Sequence, residues 1–111
     1  MLHWINYAYD LPGYLHWGLN FWTPELKDVG FAPGDNWIVY PGSDGPRSSL
    51  RWEAFRDGLE DYELFQMLAA RRPEEARQLM AAAVRNATDY ETDPARLEAV
   101  RRGVVQALAQ Q

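Results

Sequence analysis

Fourteen of the fifteen aromatic residues lie between Trp4 and Phe65, and only Tyr90 falls beyond them. All five Trp belong to that first stretch. Aromatic rings bury more area per residue than other side chains, so a core made from this chain must come mainly from its front. The same front is acidic. Residues 1–46 hold no Arg and one Lys, Lys27, against Asp10, Glu25, Asp28, Asp35 and Asp44. The later part is rich in Ala, Arg, Glu and Gln, the composition of surface helix.

The totals limit function. A net charge of -5 argues against a nucleic-acid surface, which needs clustered Lys and Arg. No apolar run approaches the roughly 18 residues of a membrane span, and the first residues lack the pattern of a signal peptide. Cysteine is absent, which excludes disulfides, thiolate metal sites and cysteine nucleophiles. His3 and His16 share no metal-ligand spacing and read as structural, so neither a metal nor another cofactor is expected.

Element signals follow in order. Leu2 to Tyr9 predicts the end of a buried helix, stopped by Leu11, Pro12 and Gly13. Tyr14 to Trp22 reads as a strand, aromatic-rich and apolar on both parities, as a strand covered on both faces would be. Gly18 inside it marks a close backbone approach or a bulge. Thr23 to Asn36 is a long loop, and such loops often carry function. Trp37 to Tyr40 predicts a second, short strand ended by Pro41 and Gly42.

Ser48 or Ser49 can cap a helix running to about Ala70, with Trp52, Phe55, Leu59, Tyr62, Phe65 and Leu68 on its apolar face. Gly58 in its middle calls for a tight contact. Pro73 opens the next helix, whose core face is Ala76, Leu79, Met80, Ala83 and Ala87. The glycosylation sequon at Asn86, Ala87 and Thr88 falls on that helix. Asp93 caps a last helix from Pro94, with Leu97, Val100, Val104 and Leu108 inward. Two strands make a marginal sheet, so the aromatic front is expected to pack on further protein or to self-associate.

Three stretches could carry chemistry. Trp17, Asn20 and Trp22 offer ring faces for the C–H faces of a sugar and an amide for its hydroxyls. Tyr40 ends the second strand and could aim its hydroxyl into the same pocket. The same residues also suit a plain aromatic core. In the third stretch charges interleave with apolar residues on a helix, which reads as a structural ion-pair network of Arg51, Arg56, Asp57, Asp61 and Glu63. Asp57 and Asp61 are four apart and share a face, so a cation such as Arg51 or Arg47 is expected beside them.

Taken together, Gly13 to Trp22, Gly34 to Gly42 and the helix with Ser49, Arg51, Glu53, Arg56, Asp57, Gly58, Asp61 and Glu63 resemble the C-terminal end of the glycoside hydrolase family 123 catalytic domain. The resemblance covers roughly residues 3–70. It implies an α/β fold: a C-terminal fragment of a (β/α)8 TIM barrel, its last two strands followed by a helical tail. Residues 1–71 would be the barrel portion and 72–111 a helical hairpin.

The resemblance also implies hydrolysis of β-linked N-acetylgalactosaminides, assisted by the substrate's own acetamido group and served by an adjacent Asp-Glu pair. No Asp-Glu dipeptide occurs, and Glu60-Asp61 has the reverse order. A whole barrel takes about 250 residues, so most of one is expected to lie outside this chain. What carries over is pocket wall: Trp17, Asn20, Trp22 and Tyr40, facing an amino-sugar glycan when the full barrel is present. The competing reading is a standalone carbohydrate-binding or protein-interaction module. A small hydrolase built on Asp35, Asp44 or Glu25 is disfavoured, because nothing holds two carboxylates at a set separation.

Overall fold

The first helix, α1 (Leu2–Ala8), ends earlier than its breakers demand. Asp10 adopts a φ of 52°, a left-handed conformation that Asp tolerates better than most residues. Its N–H donates to the Tyr7 carbonyl at 3.1 Å, and the Leu11 N–H reaches back to Asn6 at 2.8 Å. These two bonds form a Schellman stop, so Asp10 ends the helix before Pro12 and Gly13 are reached.

The computed structural model describes residues 1–25 and 34–110; the middle of the expected long loop, 26–33, lies outside them. It contains α2 (Leu50–Arg71), α3 (Pro73–Ala83), β1 (Val84–Asn86), β2 (Asp89–Tyr90) and α4 (Pro94–Ala109) after α1. The described residues are thus mixed helix with one two-stranded antiparallel sheet, consistent with an α/β fragment. Contacts divide it into two units, Met1–Gly13 with Gly58–Gln111 and Tyr14–Asp57, and α2 contributes residues to both.

Helix limits follow local chemistry. Ser49 caps α2, its Oγ accepting the Trp52 N–H at 3.1 Å. Pro73 ends α2 by excluding Arg72 from helical geometry, and it opens α3 as that helix's first residue. Asp93 caps α4 through the Ala95 N–H at 3.0 Å.

Two strand expectations need correction. Tyr14 to Trp22 and Trp37 to Tyr40 bend at Trp17, Leu19, Ile38 and Val39 and form no sheet strand; among the described residues they make the isolated bridges Asn20 to Trp37 and Tyr40 to Arg47. Nor is the first stretch covered on both faces. Leu15, Trp17, Leu19 and Phe21, all of one parity, are exposed, Leu15 to 86%.

A third correction concerns α3, which stops at Ala83 rather than continuing through Ala87. The Asn86 carboxamide oxygen accepts from Thr88 N–H, Thr88 Oγ1 and Asp89 N–H at 2.9–3.0 Å. That turn competes with helix and sets up the β1–β2 hairpin. The sequon is therefore on an exposed turn, not on a helix.

The core of the first unit gathers Trp4, Phe65, Leu68, Ala76, Met80, Ala83, Val84, Val104 and Ala107. Trp4 and Phe65 meet edge to face at 5.4 Å. Gly58 makes the tight contact its position called for: a Cβ there would lie 3.0 Å from the buried His3 ring. His3, Asn6 and Asp61 are the buried polar side chains among the described residues of this unit. Asp61 is only 8% exposed, and it accepts from Trp4 Nε1 at 2.9 Å and from Arg101 Nε at 2.7 Å.

Two outcomes are expected. Arg101→Met leaves a buried carboxylate short of a charged donor and should cost about 2 kcal/mol in urea unfolding, whereas Asp61→Asn, which still accepts from Trp4, should cost less than Asp61→Leu. Burial also pushes the His3 imidazole below its ordinary 6.5. The unfolded chain then binds a proton that the folded chain refuses, so this contribution to stability is full above about pH 6.5 and declines as pH falls toward the depressed value. The melting temperature should drop between about pH 7 and pH 5, and His3→Gln should flatten that slope.

Candidate functional site

All four expected wall residues, Trp17, Asn20, Trp22 and Tyr40, belong to the unit Tyr14–Asp57. There the chain lies beside itself. Phe21 N–H donates to the Asn36 carbonyl at 3.0 Å, Ile38 N–H to Leu19 at 2.8 Å, and the Asn36 amide to the Phe21 carbonyl at 3.1 Å. A Cβ on Gly18 would stand 2.7 Å from Asn36 Cα and 2.8 Å from the Asp35 carbonyl. Gly18 therefore marks the close backbone approach that its place in the sequence suggested.

Side chains occupy the carbonyls that a neighbouring strand would otherwise take. Arg51 donates to the carbonyls of Gly34 and Trp37, the second at 3.2 Å. Ser49 Oγ donates to Ile38, and Trp22 Nε1 donates to Val39 at 2.8 Å. With these acceptors satisfied, residues 37–39 need no sheet partner. Gly34 has a φ of +77° and lies so close to the Arg51 guanidinium that a side chain there would collide with it.

Each wall residue has its own setting. Trp17 is 50% exposed, and its Nε1 donates to Asp35 Oδ2 at 2.6 Å. Asn20 is exposed and bridges Trp37 through its backbone. Trp22 is half-buried with its N–H committed to Val39, so only its ring is available. Tyr40 is exposed, pairs with Arg47 through backbone bonds of 2.7 and 2.9 Å, and has its ring 6.3 Å from that of Trp37. Trp22 N–H donates to the Asn20 carbonyl at 2.9 Å, but among the described residues no side-chain hydrogen bond or ring contact joins any two of the four directly.

The helix charges separate into different roles. Arg56 pairs with the half-buried Glu53 at 2.6 Å and the exposed Asp57 at 3.1 Å. Arg51 serves backbone carbonyls rather than carboxylates, and Glu63 is exposed and makes no ion pair among the described residues. The cation beside Asp61 is Arg101, forty positions away, instead of Arg51 or Arg47. No periodicity within one helix could reveal that partner.

His16 and Asp35, neither of them a wall residue by sequence, sit at the centre of the polar contacts. The Tyr14 hydroxyl lies 3.0 Å from His16 Nδ1, and His16 Nε2 lies 2.7 Å from the Asp35 carbonyl. Tyr14 and His16 also stack at 6.1 Å. The signal available beforehand was parity: residues 14 and 16 project to one side of an extended chain. Among the described residues, no three His, Asp or Glu side chains gather where they could hold a metal ion.

Gly18→Ala tests this arrangement. The methyl would meet backbone on the facing segment, so the unit should lose about 1–3 kcal/mol in urea unfolding. The indole N–H proton resonance of Trp17 should move upfield as its bond to Asp35 lengthens.

The sequence model for "Glycoside hydrolase 123, catalytic domain" matches residues 1–68. No curated protein matches the chain.

Proposed function

The chain belongs to the glycoside hydrolase 123 family, and from that premise we propose that it is a fragment resembling β-N-acetylgalactosaminidases that supplies pocket wall without the catalytic pair. The match over residues 1–68 carries this reading: it contains Trp17, Asn20, Trp22 and Tyr40, but no Asp-Glu dipeptide. Substrate-assisted cleavage needs one carboxylate to hold the acetamido group and another to move the proton. Nothing in the sequence puts two carboxylates side by side in the order the family resemblance implies.

What this chain's own residues can do is bind and orient. The half-exposed ring of Trp17 suits the C–H face of a pyranose. The exposed Asn20 amide can donate to one hydroxyl and accept from another. Trp22 would contribute a ring face, and Tyr40 a hydroxyl. Trp52, Leu59 and the row Leu15, Trp17, Leu19 and Phe21 leave apolar surface exposed, as a piece of a larger barrel would.

Titration with N-acetylgalactosamine should change the tryptophan emission with a Kd of about a millimolar, as expected for a pocket with one wall. Trp17→Ala should remove that change. An aryl β-N-acetylgalactosaminide should be hydrolysed no faster than in buffer. Turnover would refute the missing catalyst, and a flat titration would refute sugar binding. The exposed row also favours a second reading, in which this face meets protein. In that case the emission responds to chain concentration and not to sugar.

A further inference from the structure

We propose that Asp35 is the hydroxyl-accepting group of a sugar subsite floored by Trp17, that His16 positions it, and that the subsite takes neutral or N-acetylated pyranosides and rejects acidic ones. The proposal rests on the carbohydrate reading above. An indole N–H points outward in the plane of its ring, so the 2.6 Å bond from Trp17 Nε1 places the Asp35 carboxylate beyond the ring edge, not over a face. Asp35 therefore does not cover a face of the ring, and Trp17 is 50% exposed. Phe21, its ring 5.7 Å away and tilted by 51°, is a second exposed apolar side chain beside it. A pyranose lying on Trp17 directs its rim of hydroxyl or acetamido N–H donors toward the ring edge, where the carboxylate stands.

That carboxylate has capacity left. A carboxylate offers about four acceptor positions, and Trp17 takes one on Oδ2. Oδ1 lies 4.0 Å from His16 Nε2, too far for a hydrogen bond, and the side chain is 29% exposed. His16 acts on residue 35 in another way. Its Nε2 faces the Asp35 carbonyl at 2.7 Å, and a carbonyl only accepts, so Nε2 carries the proton. Its Nδ1 faces the Tyr14 hydroxyl at 3.0 Å. Both ring nitrogens are tied, and the backbone of residue 35 is held while its carboxylate reaches Trp17. A carboxylate at the rim repels a ligand carboxylate, which supplies the selectivity.

The test uses the whole chain, with N-acetylgalactosamine and galacturonic acid as probes. Wild type should bind N-acetylgalactosamine at least tenfold tighter than galacturonic acid. Asp35→Asn should weaken N-acetylgalactosamine about tenfold, the worth of one hydrogen bond to a charged acceptor, and should narrow the gap between the two sugars. A merely structural role would weaken both sugars alike. His16→Ala should weaken binding severalfold, and His16→Gln, which keeps an N–H for the Asp35 carbonyl, should recover most of it. Variants are compared only where the near-UV circular dichroism matches wild type. If wild type binds and Asp35→Asn changes neither affinity nor selectivity, the assignment of Asp35 fails while the carbohydrate reading stands. If His16→Ala and His16→Gln behave alike, the positioning role fails. If wild type binds neither sugar, the subsite and the carbohydrate reading fail together.

Discussion

Asp61 presents a carboxylate to the interior of its unit, where a charge is tolerated only if its lone pairs are met. Trp4 meets it from α1 and Arg101 from α4, while Asp61 itself sits on α2. Three helices distant in sequence are thereby brought to one point. The apolar contacts around it, Trp4 on Phe65 and the ring of Tyr7 on Phe65 at 5.0 Å, supply burial. They do not by themselves select one arrangement, because rings of this size can repack. A carboxylate that must find two donors allows far fewer arrangements.

The unit Tyr14–Asp57 solves a different problem. It has aromatic mass and little regular structure, so its backbone groups cannot all be met by a ladder. Arg51, Ser49 and Trp22 meet the carbonyls of Gly34, Trp37, Ile38 and Val39 in its place. This arrangement also shapes the candidate site. It keeps residues 34–39 against residues 18–22, and so sets Asp35 at the edge of Trp17. Trp22, which composition alone would offer to a ligand, has its N–H spent on this internal work. The described residues of this unit before α2 are thus packed loops with isolated bridges instead of sheet.

Local signals in the sequence were reliable where the cause was local. Ser49, Pro73 and Asp93 each act within a few residues, and the helix limits fall where those residues require. Gly18 and Gly58 both proved to be points of close approach, although neither sequence position could name the neighbour. The strand expectations failed for a physical reason: extended propensity does not make a sheet unless a partner supplies bonds, and here side chains supplied them first. The end of α3 was missed because the Asn86 turn depends on a side chain folding back on its own backbone. Trp17 is exposed although the sequence read its segment as covered on both faces, and the meeting of Asp35 with Trp17 and His16 was not legible. Their roles arise from contacts spanning eighteen and nineteen positions, which no periodicity encodes.

The sequence by itself determined where α2, α3 and α4 begin, the concentration of aromatic rings in the front of the chain and the missing Asp-Glu order. It could do so because capping, proline geometry and composition act over one or two turns or not through space at all. The tertiary structure decided which charges are structural, sending Arg51 to carbonyls and Arg101 to Asp61, and which carboxylate stands beside an open ring. Those choices depend on where distant segments meet. A buried or edge-bound polar group settles on whichever partner folding brings within about 3 Å.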